Sequence, residues 1–218
     1  MTTARIASLG QEYPIGKILC IGRNYAEHIK ELGNETPEAP VIFMKPATSV
    51  IGDGGAIVIP SYSKDCHHEA ELAALIGTKG KNIPAERALE HVAGYGVAID
   101  LTLRDVQAEL KKKGLPWDIA KGFDTACPLS SFTPAAQVSD PQDLRIHLTV
   151  NGQTRQDGST SLMIHTVRDI ICYMSGIFTL EPGDVILTGT PAGVSAIVPG
   201  DELVAEIPGV ARLRASVK

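Results

Sequence analysis

The spacing of apolar and polar residues changes several times along the chain, and each change predicts an element. In "LRIHLTVNGQTRQ" (144–156) Ile146, Leu148 and Val150 alternate with polar residues, the two-residue period of a half-buried strand. Asn151-Gly152 then suits a two-residue hairpin turn, whose central positions both take positive φ. "APVIFMKP" (39–46) and "GAIVIP" (55–60) read as further strands. Pro-Gly-Asp occurs in "EPGDVIL" (181–187) and again in "VPGDELV" (198–204), each time as a turn leading into an apolar or alternating run.

Elsewhere the period lengthens. "NYAEHIKELG" (24–33) predicts a short helix with Asn24 as N-cap and Gly33 as stop. "PAERALEHVAGYG" (84–96) starts with Pro84 at a good first helical position and sets Ala88, Leu89 and Val92 on one face. "TLRDVQAELKKKG" (102–114) ends in lysines, which favour a helix C-terminus, and then Gly114. "TVRDIICYMSG" (166–176) carries Val167, Ile170, Ile171 and Met174 at helical spacing before Gly176. Strands and helices mix without strict alternation, which predicts an α+β fold and not a doubly wound sheet. No linker divides the chain, so residues 1–218 are expected to form one domain, with 1–16 as a lead-in.

"CHHEAELAALIG" (66–77) fits two geometries. In a helix, residues two apart lie roughly 200° around the axis, so Glu69 and Glu71 diverge. In a strand they share one face, about 6–7 Å apart, and both can reach one ion. Ala, Leu and Glu favour the helix, and the pattern leaves both readings open. A second acid bears on this. "AGYGVAIDLTLRD" (93–105) runs apolar from Val97 to Ile99 and ends on Asp100, and a carboxylate closing a buried strand needs a partner or a cation. Glu69, Glu71 and Asp100 together would form an all-oxygen site suited to Mg²⁺ or Mn²⁺. Zinc prefers His or Cys, and His67 and His68 keep that alternative open, although on a strand His68 faces away from Glu69 and reads as a packing residue.

His28 and Glu31 lie three apart, as neighbours on one helical face. A glutamate there can set the imidazole's tautomer and raise its basicity, although the spacing also suits an ordinary surface pair. "LTGTPAG" (187–193) is a turn whose backbone amides could hold a carboxylate or phosphate, or could serve only as a turn. It lacks the Gly-Lys-Ser/Thr ending of a P-loop, and the chain has no G-x-S-x-G nucleophile elbow.

Composition narrows the partners. Hydrophobic residues make up 44% and charged residues 21%, ordinary for a globular chain, and the formal net charge is −5. Net acidity argues against nucleic acid, which calls for a clustered basic face. The one tight basic run, Lys111-Lys112-Lys113, reads as a solvated helix end. No apolar run approaches the ~18 residues that span a bilayer, and the opening residues lack a signal peptide's apolar core. The expected location is the cytoplasm, with no membrane partner. Cys20, Cys66, Cys127 and Cys172 are far apart, which predicts free, mostly buried thiols in a reducing compartment.

"GRNYAEHIKELG", "FMKP", "HHEAELAALIG", "DLTLRDVQ", "KKKGLPWDIAKGFD", "SLMIHTV" and "LTGTPAGV" follow one another in an order that resembles the fumarylacetoacetate hydrolase superfamily. The similarity is to its short single-domain branch of acylpyruvases and oxaloacetate decarboxylases/tautomerases. It spans Lys17 to Glu206, and its strength lies in the combination. The resemblance implies a mixed β-roll with flanking short helices, usually a homodimer. It implies Mg²⁺ or Mn²⁺ on Glu69, Glu71 and Asp100, and a His28–Glu31 general-base dyad on a lid helix (24–33). It also implies a lysine at Lys121 and, less directly, substrate contacts from Arg23, Lys45, Arg104, Gln107 and Thr190. The implied substrate is a small 2-oxo acid, and the implied activity is C–C bond hydrolysis of acylpyruvates such as fumarylpyruvate or acetylpyruvate. Oxaloacetate decarboxylation or keto–enol tautomerisation, or a related 2-oxo acid isomerisation, is the alternative. The loop "GNETPEAP" (33–40) would shape the acyl pocket. A non-catalytic domain with a structural Ca²⁺ is the competing class, and it gives the dyad no purpose.

Overall fold

The computed structural model describes residues 2–33, 35 and 37–218. Met1 of the lead-in, and Asn34 and Thr36 of the 33–40 loop, lie outside these residues. The central element is a six-stranded sheet ordered Thr133–Pro134, Val92–Ile99, Ala70–Ile76, Val185–Leu187, Lys17–Gly22 and Val41–Pro46. Val185–Leu187 runs parallel to Lys17–Gly22, and the other neighbours are antiparallel. A five-stranded sheet packs with it, ordered Gln153–Ser159, Arg145–Val150, Glu202–Ile207, Ala211–Val217 and Gly55–Ile57. The helices are short, and the fold is mixed α+β, as the interleaved periods predict.

The 66–77 segment is extended and not helical: Cys66–His67 pairs in a small three-stranded sheet, His68 and Glu69 follow outside any strand, and Ala70–Ile76 enters the six-stranded sheet. Every residue of Ala70–Ile76 is buried. Ala70, Leu72, Ala74 and Ile76 belong to one hydrophobic cluster, and Ala73 and Leu75 to another. A strand covered on both faces needs no polar alternation, so its sequence reads as a continuous apolar run that a helix fits equally well. Full burial of each large aliphatic side chain here contributes roughly 1.5–3 kcal/mol.

The segment 84–96 departs from the helix its pattern predicts. Ala85–His91 is a 3-10 turn, and Val92 opens the strand that ends at Ile99. Val92, Tyr95 and Val97 favour the pleat. Gly94 and Gly96 let another segment approach closely: a Cβ on Gly94 would lie 2.6 Å from the Thr133 carbonyl, and one on Gly96 would lie 2.8 Å from Ser130 Oγ.

Other expectations differ in detail. The first helix is Ala26–Glu31, shorter than 24–33, and Tyr25 takes the N-cap position. Asn24 instead uses its amide to join three segments: Nδ2 donates to the carbonyls of His165 and Thr188, and Oδ1 accepts from His165 N–H. The helix Arg104–Lys113 ends at Gly114 as expected. Val167–Ile177 continues through Gly176, and a reciprocal capping box between Thr166 and Asp169 opens it. The hairpin turns at Asn151-Gly152 with both φ positive. Within the lead-in, Thr3–Ile6 pairs with Gln11–Pro14.

Two glycine substitutions should act in opposite directions. Gly94→Ala forces the Thr133–Pro134 strand outward and is expected to destabilise by about 1–3 kcal/mol. Gly176→Ala adds a methyl with nothing within 4 Å on an exposed helical face and should stabilise by about 0.5 kcal/mol. Urea-unfolding midpoints of the two variants against the parent check both signs.

Candidate active site

Strand pairing brings the three acids together. Ala70 lies opposite Ile99 and Glu71 opposite Ala98, so Asp100, one residue beyond Ile99, arrives beside Glu69. The Asp100 N–H donates to the Glu69 carbonyl at 2.7 Å. Glu71 lies on the strand and Glu69 immediately before its first residue, and their carboxylates converge. One carboxylate oxygen from each of Glu69, Glu71 and Asp100 lies within 4.8 Å of the others, and all three residues are buried.

Cations from three other segments meet this cluster. The short helix Asp118–Lys121 sets Lys121 Nζ 2.9 Å from Glu69 Oε2 and 2.7 Å from Asp100 Oδ2. Arg104 donates to the other Glu69 oxygen and, through Nη1, to Gln107 Oε1 at 3.2 Å. Lys45 Nζ lies 2.8 Å from Asp100 Oδ1 and donates to the carbonyls of Leu101, Ala126 and Lys121. Glu71 has a backbone partner, the Gly189 N–H at 2.7 Å. Burial works to raise the Glu69 carboxyl, yet Lys121, Arg104 and His28 hold it well below the usual range. Burial, and then the charges of Asp100 and Glu69, push Glu71 well above it.

This donor set fits a hard divalent cation. It is all oxygen, it is enclosed, and its mutual repulsion is what such an ion relieves. The zinc alternative loses its ligands to other partners. His68 is fully buried, with Nδ1 3.0 Å from Gln156 Oε1 and Nε2 2.9 Å from Ser195 Oγ, and His67 Nε2 pairs with Asp65 at 2.9 Å.

The dyad has formed. His28 Nδ1 lies 3.3 Å from Glu31 Oε2, and His28 is buried against the acidic cluster. The 187–193 turn does hold carboxylates, and both belong to the protein: Gly189 N–H serves Glu71, and Gly193 N–H serves Glu31 at 3.0 Å. Thr190 Oγ1 donates to the Ala70 carbonyl at 2.8 Å.

A cleft of about 430 Å³, its open mouth included, joins these groups. Of the residues implied by resemblance, Arg23, Arg104, Gln107, Lys121, Thr190 and His28 line it together with the three acids. Lys45 does not line it: its ammonium lies behind Asp100, surrounded by backbone carbonyls. Glu31 also stands back from the lining, behind His28.

Three lining residues had no signal in the sequence. Trp117 and Phe43 pack with their rings tilted at 53° and their centres 5.9 Å apart, and Lys111, exposed at its helix end, places its ammonium 5.5 Å from the centre of the Trp117 ring. Gln156 was missed as well. Fully buried, it accepts from Ala70 N–H and donates to Thr190 Oγ1 and the Pro191 carbonyl, so it ties the acid-bearing strand to the 187–193 turn. Its hairpin position is alternately exposed by pattern, and only the packed second sheet buries it.

Residues 17–218 match the family model described as fumarylacetoacetate (FAA) hydrolase C-terminal. The chain belongs to the fumarylacetoacetate hydrolase family. The match extends past Glu206, where the motifs stop, to the C-terminus. The chain is 49% identical over 201 residues to the mitochondrial oxaloacetate tautomerase FAHD1 of Mus musculus, covering 92% of this chain and 91% of that one. It is 51% identical over 199 residues to the oxaloacetate tautomerase YcgM of Escherichia coli, covering 91% of each. Among solved structures it resembles a fumarylpyruvate hydrolase from Pseudomonas aeruginosa in complex with Mn²⁺ and pyruvate. That likeness has a TM-score of 0.95 at 38% identity and covers 99% of this chain and 94% of that one.

Two predictions concern the buried charges. Lys45→Met removes the cation paired with Asp100 and the ammonium donor to the Leu101 and Lys121 carbonyls, and should destabilise by about 3–5 kcal/mol, read by chemical denaturation. Burial also pushes the His68 imidazole down to about 4 from 6.5. Between those values the unfolded chain binds a proton that the native one refuses. Stability therefore falls as pH drops through that window, by about 3 kcal/mol in full, and is flat with respect to His68 above it. Unfolding free energies across pH 4.5–7 should show a shallower slope for His68→Asn than for the parent.

Proposed function

We propose that this chain is an oxaloacetate keto–enol tautomerase that works with a divalent cation, Mg²⁺ or Mn²⁺, on Glu69, Glu71 and Asp100. What carries the reading is the close likeness, near 50% identity over nine-tenths of both chains, to oxaloacetate tautomerases from a mammal and a bacterium. The sequence motifs had favoured acylpyruvate hydrolysis, with tautomerisation as the alternative, and this likeness reverses that order.

The bound cation would polarise the 2-oxo group and stabilise charge that develops on its oxygen. The chain's own residues do the rest. Arg104, Gln107 and Thr190 orient the carboxylate end of the substrate. His28, its Nδ1 fixed by Glu31, presents its remaining ring nitrogen to the cleft and exchanges a proton with C3. Lys121 supplies positive charge beside Asp100 and Glu69 and can give a proton to the 2-oxo oxygen as His28 takes one from C3; exchange with solvent then returns both side chains to their starting states, so enol and keto forms interconvert with no net change in atoms. Segment 24–33 closes over the cleft as a lid. Lys45 acts indirectly, by holding Asp100.

One observation favours a second reading, hydrolysis of an acylpyruvate such as fumarylpyruvate. The fold matches a fumarylpyruvate hydrolase at TM-score 0.95, and a His–Glu dyad is suited to deprotonating water. No helix among the described residues is long and apolar enough to cross a membrane. We place the protein in the cytoplasm on its free cysteines, although the mouse relative is named mitochondrial, and expect a homodimer.

The experiment follows enol-oxaloacetate by ultraviolet loss, with pyruvate and CO₂ measured separately. A tautomerase speeds enol loss without matching pyruvate or CO₂. It stops on chelation and regains activity with Mg²⁺ or Mn²⁺, and Glu69→Gln stays inactive while folded. Enol loss at the buffer rate, alongside cleavage of fumarylpyruvate that His28→Ala abolishes, would overturn tautomerisation in favour of hydrolysis.

A further inference from the structure

The strand that leads from the acids is paired unevenly. Val92–Ile99 runs beside the whole of Ala70–Ile76, whereas on the other side Val185–Leu187 pairs with Ala73–Leu75 only. Past Leu187, the turn and its side chains take over the ladder. The Thr188 N–H and hydroxyl both reach the Leu72 carbonyl, at 3.2 and 2.9 Å. The Thr190 hydroxyl donates to the Ala70 carbonyl at 2.8 Å, and Gln156 Oε1 accepts from the Ala70 N–H at 2.9 Å. These Ala70 groups belong to the two peptide bonds that join Glu69 to Glu71. Each of those peptides is therefore held by one side chain.

We propose that Gln156 and Thr190 are positioning residues for the divalent-cation site: they take the place of a neighbouring strand, fix the relative directions of the Glu69 and Glu71 carboxylates, and so set how strongly the site prefers Mg²⁺ over Ca²⁺. The inference rests on the cation part of the reading above and not on which reaction follows.

Gln156 is fully buried and stands back from the cleft lining, so it acts on the site through what it holds. Its amide has one possible orientation. Oε1 faces the Ala70 N–H, which can only donate, and Nε2 faces the Pro191 carbonyl, which can only accept. Oε1 then accepts a second proton, from His68 Nδ1, and Nε2 donates its second to Thr190 Oγ1, whose own proton goes to the Ala70 carbonyl. All four hydrogen-bonding positions of the amide are filled, which leaves it no freedom to turn. The backbone is shaped to bring this amide close. A Cβ on Gly158 would lie 2.5 Å from the Pro191 side chain, and one on Gly193 would lie 2.0 Å from the Arg155 carbonyl. Ion choice depends on such rigidity. Mg²⁺ demands a near-octahedral set of oxygens at short range, whereas Ca²⁺ accepts irregular sets at longer range. A Glu69–Glu71 pair free to splay would lose Mg²⁺ first.

The test reads ion binding with no substrate present. Mn²⁺ uptake is followed by loss of the free-ion electron paramagnetic resonance signal, and Mg²⁺ and Ca²⁺ are then titrated in to displace it. Gln156→Met and Thr190→Val should each weaken Mg²⁺ at least tenfold and Ca²⁺ threefold or less, so that the preference for Mg²⁺ falls at least threefold. Thr190→Ser, which keeps the hydroxyl, should stay within threefold of the parent for every ion. Circular dichroism checks that each variant is folded, and if Gln156→Met is not, the two Thr190 variants decide. Unchanged Mg²⁺ affinity, equal weakening of Mg²⁺ and Ca²⁺, or Thr190→Ser as weak as Thr190→Val would each overturn the positioning role and leave the cation site standing. A parent protein that binds none of the three ions would overturn both.

Discussion

Three carboxylates buried within 4.8 Å of one another are the constraint that the rest of the structure answers. Left alone, such a group would draw in water or take up protons. The chain meets it with charge drawn from distant positions: Lys45 from an outer strand of the sheet, Lys121 from a single-turn helix, and Arg104 from the start of a longer one. The compensation is uneven. Glu69 and Asp100 each have two cationic partners, whereas Glu71 has only a backbone amide from Gly189 among the described residues. The acid without a side-chain cation is the one its neighbours push toward protonation, and it is where a divalent ion would gain most.

The same turn links this cluster to the dyad. Gly189 holds Glu71, and four residues later Gly193 holds Glu31. Gln156, from the second sheet, fastens the turn to the acid-bearing strand. The helix that carries His28 has only six residues, too few to persist without tertiary contacts. Its position therefore depends on Asn24, on buried Ile29 and on the Glu31–Gly193 contact.

Some of this was legible in the chain. The α+β class, the Asn151-Gly152 hairpin, the Gly114 stop and the apolar face of Val167–Ile177 follow from local rules, because turn and helix signals act over a few residues. The strand-parity condition on Glu69 and Glu71 could be stated from spacing alone. Whether it held could not, because Ala70–Ile76 is buried on both faces and so carries no alternation. The helix expected over 84–96 rested on Pro84 and on the spacing of Ala88, Leu89 and Val92, which could not show that Val92 opens a strand or that Thr133 and Ser130 press against Gly94 and Gly96.

The sequence by itself determined which residues could do chemistry, since side-chain identity and local spacing are all that a carboxylate trio or a His–Glu pair requires at that level. Only the tertiary structure decided how they are used. It turned Lys45 away from the cleft to hold Asp100, set Lys111, exposed at its helix end, over Trp117 at the cleft, and buried Gln156 as a link between sheets. Each of those outcomes depends on contacts between segments tens of residues apart, and no periodicity along the chain records them.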